Sequence, residues 1–192
     1  MKQLLITGFD PFDGGSVNPS WEAVRALPDQ IGPWQLHKLG LPTEYGRAPA
    51  LLLAKAGEIQ PDAIISVGLA GGRDAVTPER IAVNIRAAKI ADNAGVLLDG
   101  PRIEAQGPAA YFSTLPVEAM AAAIREAGIP AAVSNTAGTF VCNDVMYSAL
   151  HRYAGTAVRC GFIHVPRIPG MGEPNLPLET ICRALIAAIG TL

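Results

Sequence analysis

The stretch DAIISVG, Asp62–Gly68, opens on an acid, runs through Ala63, Ile64, Ile65 and Val67, and stops at glycine. It is too short for an ordinary helix and shows no helical spacing. A continuous apolar run of this length between turn residues is a strand buried on both faces. Towards the N-terminus, Glu44–Glu58 carries Ala48, Leu51 and Leu52 at helical spacing and stops near Gly57. Before it, Gln35–Leu41 lies between Pro33 and Pro42 as a second strand, and Lys2–Gly8 (KQLLITG) is another buried run, expected near the centre of a sheet. Strand, helix and strand in this alternation are the pattern of an α/β fold with a mainly parallel core.

The loop FDPFDGGSVNP follows the first strand. Asn18-Pro19 reads as an N-cap with proline at the first helical position, and Trp21, Ala23, Val24 and Leu27 give a short helix. Phe9 and Phe12 are unusual in a loop, which has no core face of its own. They either fold back over the core or wall an apolar pocket at the C-terminal edge of the sheet, where open α/β sheets bind ligands.

Beyond Gly68, LAGGR (Leu69–Arg73) lets backbone approach a ligand at Gly71-Gly72, but it is neither G-x-G-x-x-G nor a P-loop. Thr77-Pro78 leads into ERIAVNI, expected as one strand with Glu79 and Arg80 at its start, paired to each other at the surface by default. Arg86–Gly107 has little periodicity and is expected as an extended excursion with room for an extra hairpin. Tyr111–Thr114 is a short strand, Pro116–Gly128 an alanine-rich helix, Arg159–Val165 a buried strand, and Pro177–Leu192 an amphipathic helix with Leu178, Ile181, Leu185 and Ile189 inward.

The segment AAVSNTAGTFVCND (Ala131–Asp144) starts as a short strand over Ala131–Ser134 and passes through small polar residues to one cysteine. Val145, Met146, Ala149 and Leu150 then take helical spacing, which sets Cys142 in the first turn of a helix. Free amides there favour a thiolate and can hold an oxyanion. Taken alone, Cys142 reads better as one more small buried residue, and the rest of the chain has to overturn that. His164 falls at the C-terminal end of its strand, on the same sheet edge as Phe9, Phe12 and Cys142. Cys160 reads as core, Cys182 as part of a packing face, and His37 as a structural histidine. His151 lies more than two turns beyond Cys142 and is expected to be exposed and turned away.

Composition narrows the classes. The chain has 192 residues, enough to bury a core within one domain, 1–192. With 17% charged residues, a formal net charge of -2 and no basic block, nothing points to nucleic acid or an anionic membrane surface. No run reaches the length of a membrane span and no signal pattern precedes the first strand, so the expected compartment is the cytoplasm. Three cysteines without a C-x-x-C or Cys/His cluster argue against zinc and fit reduced thiols.

Several stretches together resemble the pyroglutamyl peptidase I family of cysteine peptidases. They are ITGFDPFDGGSVNPSWEAV (Ile6–Val24), AGGR (Ala70–Arg73), TPERIAVNI (Thr77–Ile85), ADN (Ala91–Asn93), SNTAGTFVCND (Ser134–Asp144) and GFIHVPRIPG (Gly161–Gly170), in the family's order over nearly the whole chain. The resemblance implies a three-layer α/β/α sandwich with a mixed, mainly parallel central sheet, often assembled as a homotetramer. It implies removal of an N-terminal pyroglutamyl residue through an acyl-enzyme, with no cofactor and no metal. By motif, Cys142 is the nucleophile, His164 the general base and acid, and Glu79 the orienting carboxylate. Phe9, Phe12 and Phe140 wall the ring pocket and Asn18 hydrogen-bonds the lactam. The chain departs from the family at Leu69 (usually glutamine), Lys89 (usually arginine) and Asp144 (commonly histidine), whose carboxylate suits the helix start but opposes a thiolate. Two rival readings are a catalytically impaired pyroglutamyl-binding homologue and a phosphorylase-like, phosphate-dependent enzyme that uses AGGR as its anion site.

Overall fold

The computed structural model describes residues 1–192. Six strands form one sheet: β1 (Lys2–Phe9), β2 (Gln30–Ile31), β3 (Trp34–Leu41), β4 (Ala63–Leu69), β5 (Thr77–Pro78) and, after a further ribbon, β8 (Arg159–Val165). Their order is β2-β3-β1-β4-β8-β5, so the first strand is central, as its apolar run implies. The β3-β1-β4-β8 core is parallel, and the two edge strands, β2 and β5, run antiparallel to their neighbours.

The pleat divides the core. Leu4 and Ile6 of β1 and Ile65 and Val67 of β4 face one apolar cluster. Helices α1 (Pro19–Ala26), α3 (Val117–Glu126) and α5 (Leu178–Ile189) bury their faces there. Leu5, Ile64 and Phe162 face the opposite cluster, where α2 (Arg47–Ile59) and α4 (Val141–Arg152) pack. The result is a three-layer α/β/α sandwich. β1 has β3 on one side and β4 on the other, with α1 and α2 on opposite faces. Chain order therefore reverses beside β1, and the crevice above the carboxyl ends of β1 and β4 is where such sheets take ligands.

Four local expectations change. Glu79–Ile85 is not one strand: Thr77-Pro78 before it form β5 and pair with Ile163 and His164 of β8, the chain turns at Glu79-Arg80, and only β6 (Ile81–Val83) is extended, joining β7 (Ala110–Phe112) in a separate ribbon. The break lets Glu79 point inward. Ala131–Ser134 forms only two isolated bridges, at Val76 and Glu79, because its partner is that same broken segment. Phe9 is the last residue of β1 rather than a loop residue. In Arg86–Gly107 the only bridge is Ala87 to Asp99, in place of a regular hairpin. No helix is long and apolar enough to cross a membrane.

Candidate active site

Asn18 caps α1: its Oδ1 accepts from the Ser20 amide at 3.1 Å and the Ser20 hydroxyl at 2.9 Å. The Ser20 hydroxyl in turn accepts from the Phe9 amide at 3.0 Å, tying the end of β1 to the helix. One Asn18 Nδ2 proton is spent on the Asp10 carbonyl at 2.9 Å. The other remains, so this side chain can donate to a ligand carbonyl while its oxygen is fully engaged.

Cys142 lies in the first turn of α4, after Phe140 at the N-cap. The amides of Val141, Cys142 and Asn143 have no acceptor in the protein, as expected of a helix start. Asn143 fixes the turn, accepting from the Val83 amide at 2.9 Å and donating to the Val83 and Ile85 carbonyls at 2.8 and 3.1 Å. Below Cys142 is Gly68 of β4. A Cβ there would come within 2.9 Å of Sγ and 2.6 Å of the Phe162 ring, so only glycine leaves room for the thiol. Gly68→Ala is therefore expected to displace the thiol and cost about 1–3 kcal/mol of overpacking. Loss of turnover larger than the loss of thermal stability would check it.

His164 is in register with Gly68 on the neighbouring strand. Its Nδ1 lies 2.7 Å from Glu79 Oε1. A carboxylate only accepts, so Nδ1 carries the proton and Nε2 is left as a bare acceptor. The ring leans on Phe162, with centroids 4.7 Å apart. Glu79 is fully buried, which corrects its expected surface pairing with Arg80; Arg80 instead binds Asn135 and Glu118. Glu79 Oε1 also accepts from Arg73 Nη1 at 2.5 Å, and Arg73 reaches Thr77 and the Thr136 carbonyl. The AGGR arginine is thus committed to Glu79 and is not free to hold a phosphate.

Burial raises the Glu79 pKa, but the hydrogen bond and charge of His164 and the hydrogen bond from Arg73 outweigh it and hold the carboxyl below its ordinary range. Burial also pushes His164 below its usual value despite Glu79. The Cys142 thiol is pushed up to about 12, first by burial and then by the Glu79 charge. This corrects the expectation of a lowered thiol pKa: the first turn of α4 lies deep in the pocket, and desolvation outweighs the free amides. The resting site therefore holds a thiol and a neutral imidazole.

Cys142 and His164 open on one pocket of about 150 Å³, walled by Phe9, Phe12 and Phe140 and closed by Asn18, Thr43, Leu69 and Ala137. Phe12 and Phe140 lie 6.0 Å apart, and Tyr45 buttresses Phe140 edge-on at 5.4 Å. Thr43, Ala137 and Tyr45 were not singled out by sequence, and Arg73 was read only as part of the AGGR loop; they reach the site through the tertiary fold. The departures fall unevenly. Leu69 lines the pocket. Lys89 is exposed and does not line it. Asp144 is buried and bound to the Gly46 amide and Arg86, both at 2.9 Å, so its charge is neutralised. His151 is not exposed as expected: it is half-buried, bonded to the Tyr111 hydroxyl at 2.9 Å and stacked on Tyr147. His37 is bonded to Gln3, Cys160 is core with its thiol pushed by burial to about 12, and Cys182 packs against the other core cluster.

A half-buried thiol beside a neutral, carboxylate-anchored imidazole suits covalent acyl transfer, and on this sandwich it defines a cysteine-type hydrolase. Known proteins make the assignment particular. The family model described as pyroglutamyl peptidase matches residues 2–192. A pyrrolidone-carboxylate peptidase from Escherichia fergusonii is 48% identical over 100% of this chain and 92% of its own. One from Thermococcus onnurineus is 46% identical over 98% of each. The crystal structure of Bacillus amyloliquefaciens pyroglutamyl peptidase I is 44% identical, with a TM-score of 0.95 over 100% of this chain and 96% of that one. The chain belongs to the pyroglutamyl peptidase family.

Proposed function

We propose that Cys142, His164 and Glu79 divide the work of a pyroglutamyl peptidase within a single catalytic domain, residues 1–192. The enzyme is a cysteine exopeptidase that removes the N-terminal pyroglutamyl residue from peptides through an acyl-enzyme. The observation that carries this assignment is one small aromatic pocket lined by both Cys142 and His164. At about 150 Å³ it is below the roughly 300–1,000 Å³ of sites for larger ligands. A five-membered lactam has two apolar faces and an amide edge. Phe9, Phe12 and Phe140 match the faces, and the remaining Asn18 proton matches the lactam carbonyl. No Asp, Glu, Lys or Arg lines the pocket, which suits a substrate without a charged amino terminus.

His164 Nε2 takes the thiol proton as sulfur attacks the carbonyl, because the resting state is the neutral pair. The amides at the start of α4 are free for the developing oxyanion. Glu79 fixes the tautomer and balances the imidazolium. His164 returns the proton to the leaving amine, giving a thioester at Cys142, and then activates water to release pyroglutamate. We further place the protein in the cytoplasm as a homo-oligomer; three free cysteines support the compartment, and resemblance to the family supports a tetramer.

Wild type is expected to release the dye from a chromogenic pyroglutamyl amide, and iodoacetamide is expected to abolish release. The rate of alkylation should climb through pH 9 without a plateau, because the thiol titrates near 12. A plateau near neutrality would mean a preformed thiolate and overturn the neutral-pair mechanism. Tight pyroglutamate binding without hydrolysis would favour the impaired homologue.

A further inference from the structure

The ring pocket does not end at its aromatic walls. Phe12 and Leu69 also line a second cleft of about 390 Å³ with Asp13, Gly15, Val17, Gly71, Gly72, Arg167 and Met171. Gly15, Val17 and Met171 continue into a third recess with Ile168, Pro169 and Gly170. One groove thus leads away from the reacting atoms between the 12–17 turn and the 167–171 segment. Its walls mix glycines with apolar residues such as Val17, Leu69 and Met171.

Arg167 is the cation of this groove. It is three residues beyond His164, at most about 10 Å along extended chain. Its guanidinium lies over Gly71, where an added Cβ would meet Nε at 2.9 Å and Nη2 at 3.1 Å. Nη1 donates to the Glu173 carbonyl at 2.9 Å, which anchors the side chain and leaves Nε and Nη2 without an acceptor in the protein. Asp13 shares the cleft but forms no ion pair with Arg167, and Glu173 turns its own carboxylate to Asn175. A fixed, half-buried guanidinium with two adjacent free donors is the geometry that binds a carboxylate in bidentate fashion.

We propose that this groove holds the leaving portion of the substrate, and that Arg167 selects for a carboxylate just beyond the scissile bond. That carboxylate is either the free C-terminus of a pyroglutamyl dipeptide or an acidic side chain on the residue after pyroglutamate. The proposal rests on the active-site reading above, since the groove has this meaning only if the ring pocket holds pyroglutamate.

The test measures kcat/KM for two substrate pairs on wild type, Arg167→Met and Arg167→Lys. Pyroglutamyl-alanine against its amide reads the C-terminal carboxylate. Pyroglutamyl-glutamate amide against pyroglutamyl-glutamine amide reads the side chain. Wild type is expected to favour the acid about tenfold in at least one pair, less in 1 M salt. Arg167→Met should bring that ratio near one, and Arg167→Lys should keep part of it. Equal rates within both pairs, in wild type that hydrolyses a pyroglutamyl coumarin amide, would overturn the subsite alone. A preference that persists in Arg167→Met would remove Arg167 from it. No hydrolysis of any substrate would overturn the active-site reading, and the groove proposal with it.

Discussion

Cys142→Ser is expected to lower kcat/KM on a pyroglutamyl coumarin amide by about 10⁴-fold or more while the melting temperature stays within a few degrees of wild type. The size follows from chemistry. A serine hydroxyl at this position faces the same buried surroundings that push the thiol up to about 12, and it is a far weaker acid. A neutral His164 whose own pKa is depressed cannot deprotonate it to a useful degree. The small change in stability follows from packing, because the oxygen fits the space above Gly68 that accommodates sulfur. Cys182→Ala serves as the control: Cys182 packs against the opposite core cluster and touches no part of the pocket. Full turnover by Cys142→Ala, or equal losses in both variants, would remove Cys142 as nucleophile.

The layers of the fold were legible because β1, β4 and β8 are continuous apolar runs, and burial on both faces of a parallel sheet demands that composition. The helix start at Asn18-Pro19 was legible for a local reason: the cap and the proline act on neighbouring amides. Glu79 was not legible locally. Alternation suggested a strand residue paired with Arg80, whereas β5 takes its direction from β8 and turns the carboxylate onto His164. That geometry depends on strand order, which spacing does not encode; only the match of several separated motifs pointed to it. The electrostatics failed for the same reason. A helix start predicts an acidic thiol, but depth in the pocket and a carboxylate 85 positions from His164 in sequence set its actual pKa. The roles of Arg73 and Thr43 were missed because they lie in side-chain bonds to residues brought near by the sheet.

Glu79→Gln is expected to lower turnover by about 10³–10⁴-fold and to separate the reactivity of the thiol from catalysis. The carboxylate balances the imidazolium that forms when His164 takes the proton, and it fixes the proton on Nδ1. A carboxamide does neither reliably, and loss of the wrong-tautomer kind is of this order in related serine systems. The same carboxylate raises the pKa of Cys142 and of His164. Its removal therefore makes the thiol more acidic and the imidazole less basic. Alkylation by iodoacetamide should rise at a given pH while hydrolysis falls, and the acid limb of kcat/KM should move to lower pH. Stability responds with a defined sign. In wild type His164 and Glu79 both titrate lower folded than unfolded, so the unfolded chain binds more protons as pH falls. His164 begins to lose its contribution below pH 6.5, and Glu79 below 4.5. Glu79→Gln deletes the second of these, while its less basic His164 carries the first to lower pH. If alkylation and hydrolysis instead fell together, with the acid limb unmoved, Glu79 would be acting on the fold rather than on the reacting pair.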